Sequence, residues 1–324
     1  MNNYTLGTLE ASEQLIRDLY IDLRNRVNNW SKITFQTPQA RMGYIGQHLV
    51  SVVTGFPGGK SGARGYDLVM GNGHYGEIKT CYRVDQLGSC GDCGAVVSSL
   101  EDRCSNCNSS NILRKDDSKW LIGIQHEQEF CEILDPYRYY FVLFEFEEIN
   151  NQQNHNILAY IWEVDPTVKG FGYCLMDYYL NIRARSKSKA PFNMWPHQLK
   201  FALTNPNLIY KAIIKDDGNI ETKIFPTFNN SYIDKLKPLQ EYSKAQTITL
   251  DAAKNVLLYF NPGANTSNKN KFQVLNDIEN IRVAKSISNL ELCNALADAI
   301  YLPSLINQKA QIPLKLATHY KELK

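Results

Sequence analysis

Leu15, Leu19, Leu23, Val27 and Trp30 recur three or four positions apart, a spacing that predicts an amphipathic helix from about Thr8 to Trp30. A second helix starts near Thr37-Pro38, buries Ile45, Leu49 and Val53, and is stopped by Gly55. The period then shortens. Gly65-Tyr66-Asp67-Leu68, a turn at Gly71-Asn72-Gly73 and Gly76-Glu77-Ile78-Lys79-Thr80 read as a hairpin. Lys119 to Ile124, Tyr137 to Phe146 and Asn156 to Val164 read as further strands, the last two separated by the polar loop Asn150 to Asn154. Pro206 to Phe225 adds a strand pair around Asp216-Asp217-Gly218, a type I′ or related turn. Beyond Pro226 the helical period returns in Leu250, Ala253, Val256, Leu257 and Phe260, ended by Asn261-Pro262-Gly263. Ala264 to Lys271 reads as a polar linker, and Ser288-Asn289-Leu290-Glu291 has the capping-box pattern ahead of Leu292, Leu296 and Ile300. Helix, helix, hairpin and strands predict an α/β core followed by a mostly helical C-terminal part. No internal repeat is evident.

The hairpin carries the candidate chemistry. Strand side chains alternate, so Glu77 and Lys79 share a face roughly 7 Å apart while Ile78 points into a core, and Asp67 meets them from the neighbouring strand. Two carboxylates beside a lysine suit a hard divalent cation and the water it activates. An acid and a lysine two residues apart are also common on any solvated strand. The charge pattern separates the two readings: Leu23 to Tyr66 holds Arg24, Arg26, Lys32, Arg41, Lys60 and Arg64 but no acid, so Asp67 is the first carboxylate after Asp22. An acid in a positive field stays ionised, and the surrounding surface is poised for phosphate.

Cys90-Gly91-Asp92-Cys93-Gly94 and Cys104-Ser105-Asn106-Cys107-Asn108 form two Cys-x-x-Cys knuckles, which read as a tetrahedral four-thiolate zinc site at Cys90, Cys93, Cys104 and Cys107. Disulfides or a redox dithiol are the rival readings. Gly94 and Asn108 sit where left-handed backbone is often needed. Cys81, Cys131, Cys174 and Cys293 lie in apolar runs as ordinary buried thiols.

With 324 residues the chain has ample core for one large or two moderate domains. A formal charge of +2 does not announce a nucleic-acid binder, so local charge decides. Tyr178 to Ile214 lacks any acid and carries Arg183, Arg185, Lys187, Lys189, Lys200 and Lys211 among Phe192, Trp195, His197 and Phe201. Such a tract reads as a DNA-facing segment, with Asn193 able to hydrogen-bond phosphates or base edges; the alternative is a solvated loop whose aromatics pack. The start, Met1-Asn2-Asn3-Tyr4, lacks a basic region followed by an apolar run, and no stretch approaches membrane-spanning length. A cytoplasmic protein with no membrane partner is expected.

A helix, Asp67 on one strand and Glu77-x-Lys79 on the next resemble the PD-(D/E)xK nuclease superfamily, and most of all a type II restriction endonuclease with an inserted zinc ribbon. The resemblance covers roughly Thr37 to Asp165, and Ser188 to Asn193 is similar to a restriction-enzyme DNA-contact loop. It implies a restriction-endonuclease-like mixed sheet flanked by helices, built from 1–86 and 114–225, with a zinc-ribbon insertion at 87–113 and a helical region at 226–324. It also implies Mg²⁺ held by Asp67, Glu77 and the Ile78 carbonyl, Lys79 positioning or deprotonating the attacking water, and a structural Zn²⁺. Arg64, Arg183, Arg185, Lys187, Lys189 and Asn193 are the implied DNA contacts. Double-stranded DNA is then the substrate, a homodimer the expected assembly, a cognate DNA methyltransferase the functional partner, and a prokaryotic cytoplasm the setting. Two positions depart from the pattern: Tyr66 precedes Asp67 where the family has proline, and Gln47 stands where many relatives carry an acid. A repair or recombination nuclease of the same fold, or a non-catalytic zinc-ribbon DNA-binding protein, are the alternative functions.

Overall fold

The computed structural model describes residues 4–34, 36, 38, 41–59, 66–151, 154–187, 190–228, 236–242, 248–312 and 320–323. The first helical run is continuous from Leu9 to Thr34: α1 (Leu9–Leu15) passes through a π-helical stretch, Ile16–Asp22, into α2 (Leu23–Thr34). Thr8 caps it, its hydroxyl accepting from Ala11 N at 3.4 Å. α3 (Met42–Thr54) begins later than Thr37-Pro38 and ends as expected at Gly55, whose φ of 79° is left-handed. Next come β1 (Leu68–Gly71) and β2 (His74–Tyr82), then the short β3 (Gly88–Cys90), β4 (Val96–Val97) and β5 (Ile112–Leu113). They are followed by β6 (Trp120–Ile122), α4 (Glu127–Ile133), β7 (Arg138–Phe146) and β8 (Ile157–Val164). α5 (Lys169–Tyr178) continues as a π-helical turn to Arg183, and β9 (Phe192–Met194), α6 (Leu199–Ala202), β10 (Asn207–Ile214) and β11 (Ile220–Ile224) follow. α7 (Leu239–Tyr242), α8 (Leu250–Phe260), α9 (Lys271–Ala284) and α10 (Asn289–Asn307) complete the helices.

Five of these helices, α4, α5, α6, α7 and α9, go beyond the helices that the hydrophobic pattern delimits. α5 is instructive, because Gly170 and Gly172 in its first turn look like loop residues. Each is there for space: a Cβ on Gly170 would press into the Leu203 carbonyl, and one on Gly172 into the Tyr320 hydroxyl. The Asp216-Asp217-Gly218 turn is a three-residue loop rather than a two-residue one. Lys215 N bonds Asn219 O at 2.8 Å, and Gly218 takes the left-handed position at φ 80°.

The chain divides into two compact units. The first comprises 1–120, 139–163 and 208–232, so the segment with the two cysteine knuckles belongs with the sheet. The second comprises 121–138, 164–207 and 233–324, which draws two central segments expected in the catalytic core into the helical part. Within the second unit, α10 packs on α5 and α8, and α9 on α7 and α8. Lys169 on α5 pairs with Asp298 of α10 (2.8 Å) and with Glu322 (2.7 Å).

The first unit is organised by a mixed six-stranded sheet in the order β1-β2-β7-β8-β10-β11. Its core joins Ile16 and Tyr20 of the first helical run and Ile45, Leu49, Val50 and Val53 of α3 to Ile78, Tyr140, Val142, Phe144, Ala159, Ile161, Tyr210 and Ala212 of the strands. β7 is buried on both faces, which is why Tyr139 to Phe144 reads as an unbroken apolar run. On the face opposite to Val142's side chain, Trp120 packs edge-on against Phe141, and its indole N–H donates to the Val142 carbonyl at 2.8 Å.

Two contacts fix the helices on this sheet. Gly46 in α3 lies against Thr80 of β2: a Cβ there would overlap Thr80 Oγ1 and stand only 2.9 Å from Cγ2. A glycine inside a helix costs about 1 kcal/mol of helix propensity, and here it allows the backbone of α3 to settle directly on the strand. At the other contact, Arg24 of α2 makes a bidentate pair with Asp85, Nε to Oδ2 at 2.6 Å and Nη2 to Oδ1 at 2.7 Å, while the Tyr82 hydroxyl donates to Oδ2 at 3.1 Å. Asp85 is only 3% exposed. Burial works against the Arg24 charge, but Asp85 outweighs it and the guanidinium pKa is raised.

The outer edge of β1 is occupied by its own upstream segment: Val69 N bonds Pro57 O (3.0 Å), Gly59 N bonds Asp67 O (3.1 Å), and Gly58 bridges Leu68. A Cβ on Gly59 would press into the Tyr66 carbonyl, so this pairing also requires glycine.

Replacing Gly46 with alanine should destabilise the protein by about 2 kcal/mol through overpacking, and Gly46→Ala with Thr80→Ala should recover most of it. Urea unfolding of the two variants checks this, and equal loss in both would refute the contact. Arg24→Ala leaves a buried carboxylate without its partner and should cost about 3 kcal/mol, measured the same way. Asp85→Asn should cost less, since the arginine left behind still reaches solvent.

Candidate active site and metal centre

Asn72 (φ 51°) and Gly73 (φ 76°) form the tight turn of the β1–β2 hairpin, whose register pairs Leu68 with Gly76 and Gly71 with His74. Ile78 is buried in the core, and Glu77 and Lys79 lie half-buried on the other face of β2. Lys79 Nζ donates to Glu77 Oε1 at 2.6 Å. Asp67 stands one residue before β1. Its Oδ2 accepts the Ile78 backbone N–H at 2.8 Å and its Oδ1 accepts the Gln47 side-chain amide at 2.7 Å. The expected constellation therefore assembles: Asp67, Glu77, Lys79, Ile78 and Gln47 come from a loop end, one strand and one helix of a single unit.

Gln47 reaches Asp67 because Gly46, its neighbour in α3, brings the helix down on β2. That glycine beside a side-chain amide, between the buried Ile45 and Leu49, was the available sequence signal for the contact. Gln47 acts here as a hydrogen-bond donor. It holds a carboxylate in place through a neutral amide and adds no charge of its own.

Burial lifts the Glu77 carboxyl above its ordinary range; Lys79 opposes the rise and the nearby Asp67 charge adds to it. Two carboxylates that feel each other in a half-buried site form a hard-oxygen donor set. Each Asp67 oxygen accepts one hydrogen bond in this arrangement and keeps a lone pair. Oxygen donors of this kind suit a hard divalent cation.

The four knuckle cysteines form the one His/Cys/Asp/Glu cluster of metal-binding geometry among the described residues, with all four sulfurs within 4.8 Å of one another. Cys90 and Cys107 sulfurs are 3.5 Å apart and those of Cys93 and Cys104 3.6 Å. A tetrahedron with metal–sulfur bonds of about 2.3 Å has edges of about 3.8 Å, so the quartet fits zinc, and its cysteines are free rather than joined as disulfides. The two knuckles repeat one bonding pattern. Cys90 N bonds Ala95 O and Cys104 N bonds Ser109 O, each at 2.8 Å, while Gly94 N bonds Cys90 O and Asn108 N bonds Cys104 O. Gly94 (φ 73°) and Asn108 (φ 58°) take the left-handed conformation expected of them. Asn106 donates to the Cys93 sulfur and, with the Ala95 backbone, holds that thiol down at about 6. Asp92 joins the knuckles by accepting from Ser109 and from Asn111.

The proposed DNA-contact residues are dispersed. Arg64 and Lys189 lie outside the described residues, as does Ser188. Arg183 and Arg185, in the second unit, serve that unit internally: Arg183 donates to the Ile124 and Ser186 carbonyls and Arg185 to Gln308. Lys187 is exposed and Asn193 half-buried in β9. Phe192 and Phe201 are buried and pack inside their unit, whereas Trp195 is half-buried and His197 exposed. Acid-free composition alone could not distinguish the two cases.

No helix among the described residues is long and apolar enough to cross a membrane. Comparison with curated proteins and with solved structures returns no match. A family model does match, that of the MamI restriction endonuclease, over residues 29–239, a span that contains α3, the hairpin and the cysteine knuckles. The chain belongs to the MamI restriction endonuclease family.

Proposed function

We propose that this protein is a type II restriction endonuclease of the PD-(D/E)xK kind, hydrolysing phosphodiester bonds of double-stranded DNA at a specific sequence with Mg²⁺. The carrying observation is the Asp67 clamp beside the Glu77–Lys79 pair. Asp67 and Glu77, with the Ile78 carbonyl, would hold the cation, which when bound supplies charge stabilisation at the phosphoryl oxygens and acidifies a coordinated water. Gln47 and the Ile78 N–H fix the Asp67 carboxylate so that it need not reorganise. Lys79 is within reach of the same space. Once the Glu77 oxygen is engaged elsewhere, its ammonium can orient the attacking water or, deprotonated, accept its proton.

The cysteine quartet holds a structural zinc, since four thiolates leave no open coordination position. It braces the segment that leaves the catalytic strand. By analogy with orthodox enzymes of this type, we infer a homodimer acting on a palindrome, a cognate methyltransferase protecting the same site, and a prokaryotic cytoplasm as the setting. Lys187, exposed in an acid-free loop, is retained as a phosphate contact.

Digestion of a long duplex of known sequence should give discrete fragments in Mg²⁺ and none in its absence; a smear would favour a nuclease that reads structure instead of sequence. Lys79→Ala and Asp67→Ala should each abolish cleavage with little change in unfolding midpoint, and full activity in either would remove the site assignment. Elemental analysis should find about one zinc per chain, lost together with cooperative unfolding in Cys104→Ser. A zinc-free, fully folded wild-type protein would contradict the metal centre.

A further inference from the structure

α2 is held on one side and open on the other. Its inward residues are Arg24, bound to Asp85, Val27, Asn28 and the buried Ser31. Leu23, Arg24 and Val27 line a narrow cleft with Pro38, Met42 and Ile45, so the helix is seated against α3 as well. Asn25, Arg26, Asn29, Trp30, Lys32 and Ile33 are all exposed. At 3.6 residues per turn these six fall within an arc of roughly 160°, one continuous face.

The composition of this face is unusual for a solvated helix. Trp30 is 67% and Ile33 69% exposed, although apolar groups of this size normally find cover. Asp18 and Asp22 end the acidic residues of the helical run, and none follows until Asp67. Elsewhere in the first unit Arg24 and Arg83 pair with carboxylates, whereas Arg26 and Lys32 make no ion pair among the described residues. Within α2 this face carries two cations and no acid, with Asp22 the lone exposed carboxylate one turn upstream; the net positive charge would disfavour a second copy presenting the same face and would attract a polyanion.

On this basis, and resting on the nuclease reading above, we propose that the exposed face of α2 is a DNA-reading surface that docks in the major groove of the substrate duplex. A helix of 10–12 Å diameter matches a groove about 12 Å wide. Arg26 and Lys32 neutralise phosphates or read guanine, Asn25 and Asn29 present side-chain amides able to bond adenine edges, and Trp30 and Ile33 supply apolar contact of the kind thymine methyl groups accept. The Arg24–Asp85 pair gives this face a fixed position relative to the catalytic strand, because Asp85 follows Tyr82 at the end of β2 within the same unit. Recognition and chemistry are thus built on neighbouring elements. The reading residues are specificity determinants and leave the hydrolytic groups untouched.

The test is fluorescence anisotropy of labelled random-sequence duplexes over a salt series in divalent-free buffer, with wild type and the Arg26→Ala/Lys32→Ala double variant. The variant should bind about tenfold more weakly, with its log–log salt slope smaller by about 1.8, the loss of two phosphate contacts. Saturating duplex should also shield Trp30 from acrylamide, in a Trp195→Phe background that removes the half-buried indole and leaves Trp30 as the exposed one beside the buried Trp120 and Trp162. Asn25→Ala/Asn29→Ala should keep the salt slope and cut long DNA at additional sites. An unchanged slope and affinity together with unshielded Trp30, in a wild-type protein that binds and cuts DNA, overturns the assignment of this face alone. Conversion of a dimer to a monomer by Trp30→Ala with DNA binding intact overturns it in favour of a contact between copies. A wild-type protein that neither binds nor cuts duplex overturns the nuclease reading itself.

Discussion

The closeness of α3 to β2 is the constraint on which the site depends. Gly46 gives up helix propensity so that the helix can sit on Thr80, and that descent places Gln47 within 2.7 Å of Asp67. Were α3 a methyl group further out, the amide would lose the carboxylate, and Asp67 would keep only its bond from the Ile78 N–H. The geometry of the candidate site is therefore set by packing behind it. Ile78 has two parts in this: its side chain anchors the strand in the core, and its backbone amide holds the acid at the surface.

Gln47 also defines what the site is electrostatically. With a neutral amide in the third position, the half-buried site holds two carboxylates answered by one lysine. Burial already strains the ionisation of Glu77, and a third carboxylate would raise that penalty unless another cation were present to offset it. Neutral support for Asp67 keeps the site organised with fewer charges.

Much of this was legible in the chain, and the failures have physical causes. The hairpin could be read because Asn72-Gly73 turn chemistry and period-two alternation agree, and the knuckles because cysteine spacing is rarely accidental. The capping box at Ser288 and Glu291 forms as its pattern predicts. α5 escaped because its glycines serve close packing, a property of neighbours far along the chain. The pair Arg24–Asp85 joins residues sixty-one positions apart and leaves no local signature. The basic tract after Tyr178 was half legible: charge showed, but burial of Phe192 and Phe201 is decided by the tertiary fold. Contacts between elements group 121–138 and 164–207 with the C-terminal helices, a relation that order along the chain does not display.

The occupation of the β1 edge by Pro57 to Gly59 has a consequence for assembly. An open edge strand is a template for another chain, and here the row of donors and acceptors beside Leu68 and Val69 is already satisfied from within. At the other end of the sheet, β11 is only five residues long and presents Glu221 and Lys223, while Thr222 bonds Glu13 of α1. The sheet is closed to growth at the β1 end and poorly suited to it at β11. Two copies that meet on a DNA duplex would have to do so through helices and loops, leaving each hairpin to keep its own register.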